Sequence, residues 1–537
     1  MGHETNIDSI RALEKQIEEG RGDIIKLKRA RNSLLNVSTR TPPEILGYIF
    51  AWSLVREYDR CFGGLQKGSY NFLLVCHHWF EVASRTPELW SFWGNTLQDW
   101  KKRHRRSVAT PLDLVLNEGG YSRHITFDET LQDAVRGRVI QDTIRQVHLM
   151  SYNGGNLASI ISSLTPDHEG GQNENIESII WRSMGSNFVD ASNFFARSRL
   201  PRLRVLELSD RIQFSSWDRL ASRTTLLTTL SIDVSPSPLT PTPTACQLFS
   251  ILISNPNLRQ LILYDAALPT DSDGFTFRVP LRNLKVLSLG GEFHRLFGLL
   301  HQLILPETLD RMNLTGFDPT VEDVSQTLAP YIGDHFQRDA RFQDTLDVSS
   351  SSSSYFGATA LSVTVTCGET TTLGRDSPEV TLKVHLAYGL PPDVLEQLFV
   401  SLVAPIPGEH VVRFNAELDI KLPEELLFMM PNIEWLCIVD VKLSEGFLQP
   451  NPDGPHANVK LLPSLETLCL RRINRGDDYW SILPDDDWGH LMTYLAHQTS
   501  DGQIISLEMT GDFRHMPGPE VVDEIEDLVE KFICQEE

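Results

Sequence analysis

At 537 residues the chain is too long for one ordinary core, so several domains or an extended repeat array are expected. Hydrophobic residues at 41% and charged residues at 22% fit a globular protein, while a net charge of −23 argues against a general nucleic-acid binder, since phosphate would be repelled. No apolar stretch is long enough to cross a bilayer, and the opening MGHETNIDSIRALEK lacks the apolar core of a signal peptide, so no membrane partner is expected.

Residues 1–36 form the first segment. Ile10, Leu13, Ile17, Ile24, Leu27 and Leu34 recur at three- and four-residue steps, with Gly20 and Arg31 on two further positions of the same seam. Such a short, interrupted heptad suits a single amphipathic helix folded back on its own domain better than a dimeric coiled coil.

The second segment, 37–108, opens with TPPEILGYIF. Thr41 and Glu44 have the spacing of a capping box, and Pro43 suits a first helical turn. Ile45, Leu46, Ile49 and Phe50 then share one helical face. A second helix is predicted through Leu73, Leu74, His77 and Phe80 to about Arg85, after a polar loop at 56–69. Thr86-Pro87-Glu88 repeats the start signal and opens a third helix with Leu89, Trp90 and Trp93. Three short helices have little core of their own and favour completion on a partner.

Pro42-x-Glu44-Ile45-Leu46-x-x-Ile49-Phe50, Val75-Cys76-x-x-Trp79 with Ala83, and Thr86-Pro87-x-Leu89-Trp90 together resemble an F-box. The ending and the preceding heptad helix are similar to F-box proteins abundant in mushroom-forming fungi. Thr41 stands where that family usually has Leu before the first proline, and the loop at 56–69 is long. The resemblance implies docking on the Skp-family adaptor of a cullin-based ubiquitin ligase. Pro42, Ile45, Leu46, Ile49 and Phe50 would form the anchor strip, with Val75, Trp79, Leu89 and Trp90 completing or bracing it. Trp79 and Val75 are the two for which a purely internal role is the equal alternative.

From 109 to 537 the grammar changes. Leu203-x-x-Leu206-x-Leu208 recurs as Leu227/Leu230/Ile232, Leu258/Leu261/Leu263, Leu284/Leu287/Leu289, Leu309/Met312/Leu314, Ile433/Leu436/Ile438 and Leu465/Leu468/Leu470. Spacings of 24, 31, 26 and 25 upstream and 32 for the last pair make this the leucine-rich-repeat phrase, one strand per unit. Helical stretches at TACQLFSILIS, FHRLFGLLHQL and PPDVLEQLFVSLV alternate with the strands, so the fold class is an α/β repeat: an N-terminal helix and F-box-like helices, then an irregular leucine-rich-repeat solenoid. The Asn or Cys that usually follows the last leucine is replaced by Arg211, Ala266, Glu292, Val441 and Ile473, which leaves the curve to be held by packing alone. SPSPLTPTPT at 235–244 must loop out, and the serine run Ser349 to Ser354, inside a second insertion near 345–357, is expected to be mobile. Beside it, LSVTVTCG and VTLKVHLA suggest strands longer than the repeat units have.

Chemistry is thinly signposted. The Asp-rich GDDYWSILPDDDWGH (476–490) lacks fixed ligand spacing and fits a helix start, and KKRHRR (101–106) fits a solvated helix end better than a nuclear import signal. His77 and His78 point to opposite helical faces. No hydrolase, metalloprotease or nucleotide-loop motif occurs, so neither catalytic residues nor a metal or other cofactor are expected. Seven scattered cysteines without a Cys-x-x-Cys pair point to a reducing compartment, cytoplasmic or nuclear, with Cys437 and Cys469 as small buried hydrophobes. The expected function is target recognition for a ubiquitin ligase, with an unidentified protein held by the repeats. The alternatives are a repeat scaffold acting outside a ligase and, less favoured, a hydrolase or metal enzyme on the Asp-rich segment.

Overall fold

The phrase apolar-x-x-apolar-x-apolar folds as a short strand whose last two apolar residues turn to one side, as the two-residue period of a strand requires. The computed structural model describes residues 15–17, 19–21, 23–28, 41–61, 71–93, 110–117, 129–140, 142–151, 154–168, 173–234, 242–265, 267–269, 278–306, 309–317, 321–328, 330–331, 333, 345–352, 359–366, 379–386, 392–406, 408–417, 424–439, 462–471, 495–496, 506–510 and 519–535. The chain divides into two compact units, Met1–Ser216 and Trp217–Glu537, each of mixed α/β type.

In the first unit, α1 (Pro43–Cys61) and α2 (His77–Arg85) are followed by a single 3-10 turn at Pro87–Leu89. Five parallel strands come next: β1 (Phe92–Trp93), β2 (Leu112–Asn117), β3 (Ile144–Ser151), β4 (Ser178–Ser183) and β5 (Val205–Asp210). Val147, Ile179 and Leu206 align across three strands, as do Leu149, Trp181 and Leu208. Trp181 starts an aromatic chain through Phe194, Phe195 and Phe214, with successive ring centroids 4.9, 5.2 and 4.8 Å apart. Such edge-on packing fills the volume between sheet and helices that leucines fill elsewhere.

In the second unit, β6 (Thr229–Val234), β7 (Gln260–Asp265), β8 (Val286–Glu292) and β9 (Arg311–Phe317) are parallel and in register. Leu230, Leu261, Leu287 and Met312 form one buried row, and Ile232, Leu263, Leu289 and Leu314 the next. The ladder is then interrupted. β10 (Thr345–Ser352), β11 (Thr359–Thr366) and β12 (Glu379–Leu386) form an antiparallel meander, in which β12 pairs parallel with β9. On its other side β10 pairs parallel with β13 (Arg413–Glu417). Reversal between β10 and β11 follows from the short 353–358 connection, since a parallel pair needs a crossover of a dozen residues or more. The ladder resumes through β14 (Trp435–Val439), β15 (Thr467–Arg471), β16 (Ser506–Thr510) and β17 (Lys531–Gln535). Helices Ala245–Ser254, Phe293–His301 and Pro392–Val403 occupy the three stretches expected to be helical. The first begins in a full capping box between Thr244 and Gln247.

Several expectations are corrected. Ser349–Ser352 are not a mobile run but the second half of β10, held against β11. The expected longer strands exist, at eight residues each for β11 and β12 against five to seven for the phrase strands of this unit. The loop predicted to start at 56 starts later, because α1 continues to Cys61. Thr41 is not the cap of α1: the carbonyl of Pro42 accepts from Leu46 N at 3.0 Å, which makes Pro42 the cap position and leaves no capping side chain there. Ile17, Ile24 and Leu27 are 58%, 54% and 71% exposed, so the N-terminal helical residues do not bury that seam on their own domain. The segments 101–106 and 476–490, most of 235–244, and Ile10, Leu13 and Leu34 lie outside the described residues.

Packing is not alone in setting one unit on the next. Asparagines just before the first apolar residue of a unit reach back to the preceding one. Asn175 Nδ2 donates to Asp142 O at 2.8 Å, Asn283 Nδ2 to Pro256 O at 3.0 Å and Asn432 Nδ2 to Glu409 O at 2.7 Å, each acceptor standing two places before its own unit's first apolar residue. Asn255, 1% exposed, donates to Ile251 O at 2.8 Å and Thr224 O at 3.2 Å, and its Oδ1 accepts from Leu227 N at 2.9 Å. Replacing Asn255 by Ala orphans buried backbone groups and is expected to cost about 1–3 kcal/mol in a denaturant titration. Asn283→Ala, at an exposed staple, is expected to cost less than half as much. Equal costs would contradict the buried role of Asn255.

Candidate functional site

Two surfaces stand out. The first is on α1, whose nineteen residues carry two apolar stripes. Leu46 and Phe50 point inward, 3% and 2% exposed, and pack with Val82, Ala83, Leu89 and Trp90, with Ala51, Leu73 and Trp79 at the margin of this cluster. Phe50 and Trp79 meet at 5.0 Å between ring centroids, and Trp90 Nε1 donates to Ala83 O at 2.8 Å, pinning the 3-10 turn to the end of α2. Gly47 permits the approach of α1 to this corner, since a Cβ there would lie 2.8 Å from Thr86 Oγ1. The helical segment therefore closes a core of its own.

The other stripe is solvent-facing. Ile45, Tyr48, Ile49 and Trp52 follow an i, i+3, i+4, i+7 spacing and are 54%, 77%, 50% and 58% exposed. Leu74, Val75 and Phe80 add three further exposed apolar side chains in the segment that includes α2. Lone exposed apolar residues need no explanation, but a helical stripe of this size does.

The nine residues nominated from sequence thus divide. Pro42, Ile45, Ile49 and Val75 are exposed; Leu46, Phe50, Leu89 and Trp90 are buried in the local core; Trp79 is half-buried. Leu46 and Phe50 are corrected from strip residues to core residues, because helical spacing alone does not separate adjacent stripes only one residue apart. Val75, for which an internal role is the equal alternative on sequence grounds, is exposed. Tyr48 and Trp52, not among the nine, lie on the same exposed stripe, Trp52 continuing the Ile45–Ile49 row by one turn.

The second surface is the face of the ladder opposite the leucines. In the first unit, Arg145 sits where the β2–β3 register shifts and grips Asp113 with both ends of its guanidinium, Nε at 3.0 Å from Oδ1. Burial pushes the Asp113 carboxyl above its ordinary value against the pull of Arg145. His148 meets Ser178 Oγ at 2.8 Å through Nε2, and Arg182 pairs with Glu207 at 3.3 Å. In the second unit, Tyr264 Oη and Ser288 Oγ are 2.7 Å apart, and Gly290 on β8 leaves room for the Tyr264 ring. Cys437 and Cys469 are direct register partners and cluster with Val439 and Trp435, as expected of buried thiols. The hydrogen bond to Cys469 and then burial raise the Cys437 thiol, which keeps it protonated. Among the described residues no group of three or more His, Cys, Asp or Glu could hold a metal ion, and no helix is long and apolar enough to cross a membrane.

No protein-family model matches the chain, and no curated protein matches it. Among solved structures the chain is similar to a leucine-rich-repeat protein of Leptospira interrogans, at 12% identity over 81% of this chain and 91% of that one, with a TM-score of 0.27.

Burial, then the charge of Arg182, lowers His148 from an ordinary 6.5 to about 4. Between these values only the unfolded chain binds the proton, so stability present above pH 6.5 is lost as pH falls towards 4, by up to about 3 kcal/mol. Denaturant midpoints at pH 7 and 5 are expected to converge for His148→Gln relative to the native chain; an unchanged pH slope would contradict this.

Proposed function

We propose that the chain is the target-recognition adaptor of a Skp–cullin–F-box-type ubiquitin ligase. In this reading α1 docks on the Skp-family adaptor, a cullin joins through that adaptor, and the leucine-rich ladder forms an arc that holds a target protein. Ubiquitin transfer is carried out by the other subunits, so no catalytic residue is assigned to this chain. A cytoplasmic or nuclear location fits the scattered free thiols.

The observation that carries the reading is the outward stripe Ile45, Tyr48, Ile49 and Trp52 on a helix whose opposite face is already buried. It lies within the segment that resembles an F-box, and it offers a partner four large side chains without dismantling the local core. Burying each is worth about 1.5–3 kcal/mol before the cost of association is subtracted. The second half of the reading is supported by the in-register strands of each unit, whose face opposite the leucines carries partly exposed ion pairs at Arg145–Asp113 and Arg182–Glu207 in the first unit.

Co-expression with a Skp-family adaptor, followed by capture, tests the docking half. The native chain is expected to retain the adaptor, and Ile45→Asp combined with Ile49→Asp to weaken it by about a hundredfold, or about 2.7 kcal/mol, with unchanged circular dichroism. Phe50→Asp is expected to unfold the segment instead, because that side chain is 2% exposed. Undiminished capture by the double variant would overturn the assignment. Failure of the native chain to capture any adaptor would leave an interaction scaffold outside a ligase.

A further inference from the structure

We propose that the N-terminal helical stretch joins two copies of this chain as a parallel two-stranded coiled coil. Residues 15–17, 19–21 and 23–28 are helical, and Ile17, Ile24 and Leu27 are exposed along one line. In heptad terms the described residues place Ile17 and Ile24 at a and Leu27 at d, with Gly20 at the d position between them. β-branched residues at a with leucine at d is the combination that selects two parallel strands over higher orders.

Charge identifies the occupant as a second copy. Asp23 falls at g and Lys28 at e of the next heptad, the two positions that face each other across a parallel pair. A symmetric pair therefore makes this contact twice. Asp23 holds Lys26 of its own helix at 3.1 Å, but both side chains are more than 70% exposed, so that bond exchanges readily. The pair Lys15–Glu19, at 4.0 Å, occupies outer positions and leaves the seam clear. Gly20 weakens the seam without blocking it: a Cβ there would meet nothing within 4 Å. The association is accordingly weak and adjustable from one site. It is independent of what α1 docks on.

Sedimentation of the full chain across a concentration series is the test. The native chain is expected to pass from monomer to dimer, Ile24→Asp to stay monomeric, and Gly20→Leu to tighten dimerisation by at least about tenfold. In a Gly20→Leu chain with exposed Cys246 changed to Ser, adding Leu27→Cys is expected to give an oxidised covalent dimer, because position 27 faces its own counterpart only in a parallel pair. A chain that remains monomeric even with Gly20→Leu overturns the proposal. So does a dimer indifferent to Ile24→Asp, or one that never crosslinks through position 27.

Discussion

A five- or six-residue parallel strand has no stability of its own, and the parallel strands within each unit depend on presenting apolar side chains to the same row as their neighbours. Because side chains alternate, a slip of one residue would send them to the outward face. The rows Leu230–Leu261–Leu287–Met312 and Ile232–Leu263–Leu289–Leu314 meet that requirement strand after strand. The asparagine staples at 175, 283 and 432 add a polar check on the same register, since each side chain reaches a carbonyl only when its unit is correctly set on the one before.

The two faces of the strands therefore carry different duties. The outward positions of the strands carry no packing duty towards the leucine core, so they hold ion pairs at Asp113–Arg145 and Arg182–Glu207, a neutral buried histidine, a tyrosine–serine contact and a thiol pair. The antiparallel meander β10–β11–β12 preserves the ladder while lengthening it, because its two outer strands still run parallel to β9 and β13. The helical segment obeys a different constraint. A nineteen-residue helix with two apolar stripes and one small core can bury only one of them. Leu46 and Phe50 take the inside, and Ile45, Tyr48, Ile49 and Trp52 face outward.

Much of this was legible in the sequence where leucine marks the phrase. The strands at Leu206, Leu230, Leu261, Leu287, Met312, Leu436 and Leu468 were located by spacing alone, as were three of the helices between strands. Other strands were missed because different apolar residues do the same job: Val147/Leu149, Ile179/Trp181, Phe414/Ala416 and Leu507/Met509 fill the rows in β3, β4, β13 and β16. A pattern written in apolar class rather than in leucine would have found them. The asparagines were overlooked because they precede the strand instead of following it. On α1 the period found the helix but not which stripe faces in, since that is decided by Ala83, Leu89 and Trp90, residues distant in sequence.

Hydrogen exchange of the full chain, with and without a purified Skp-family adaptor, tests the central claim most directly. The account predicts slowed exchange confined to the segment spanning α1 and α2, with the ladder strands unchanged. Unaltered exchange across 43–85 at saturating adaptor, or protection appearing only in the ladder, would contradict it.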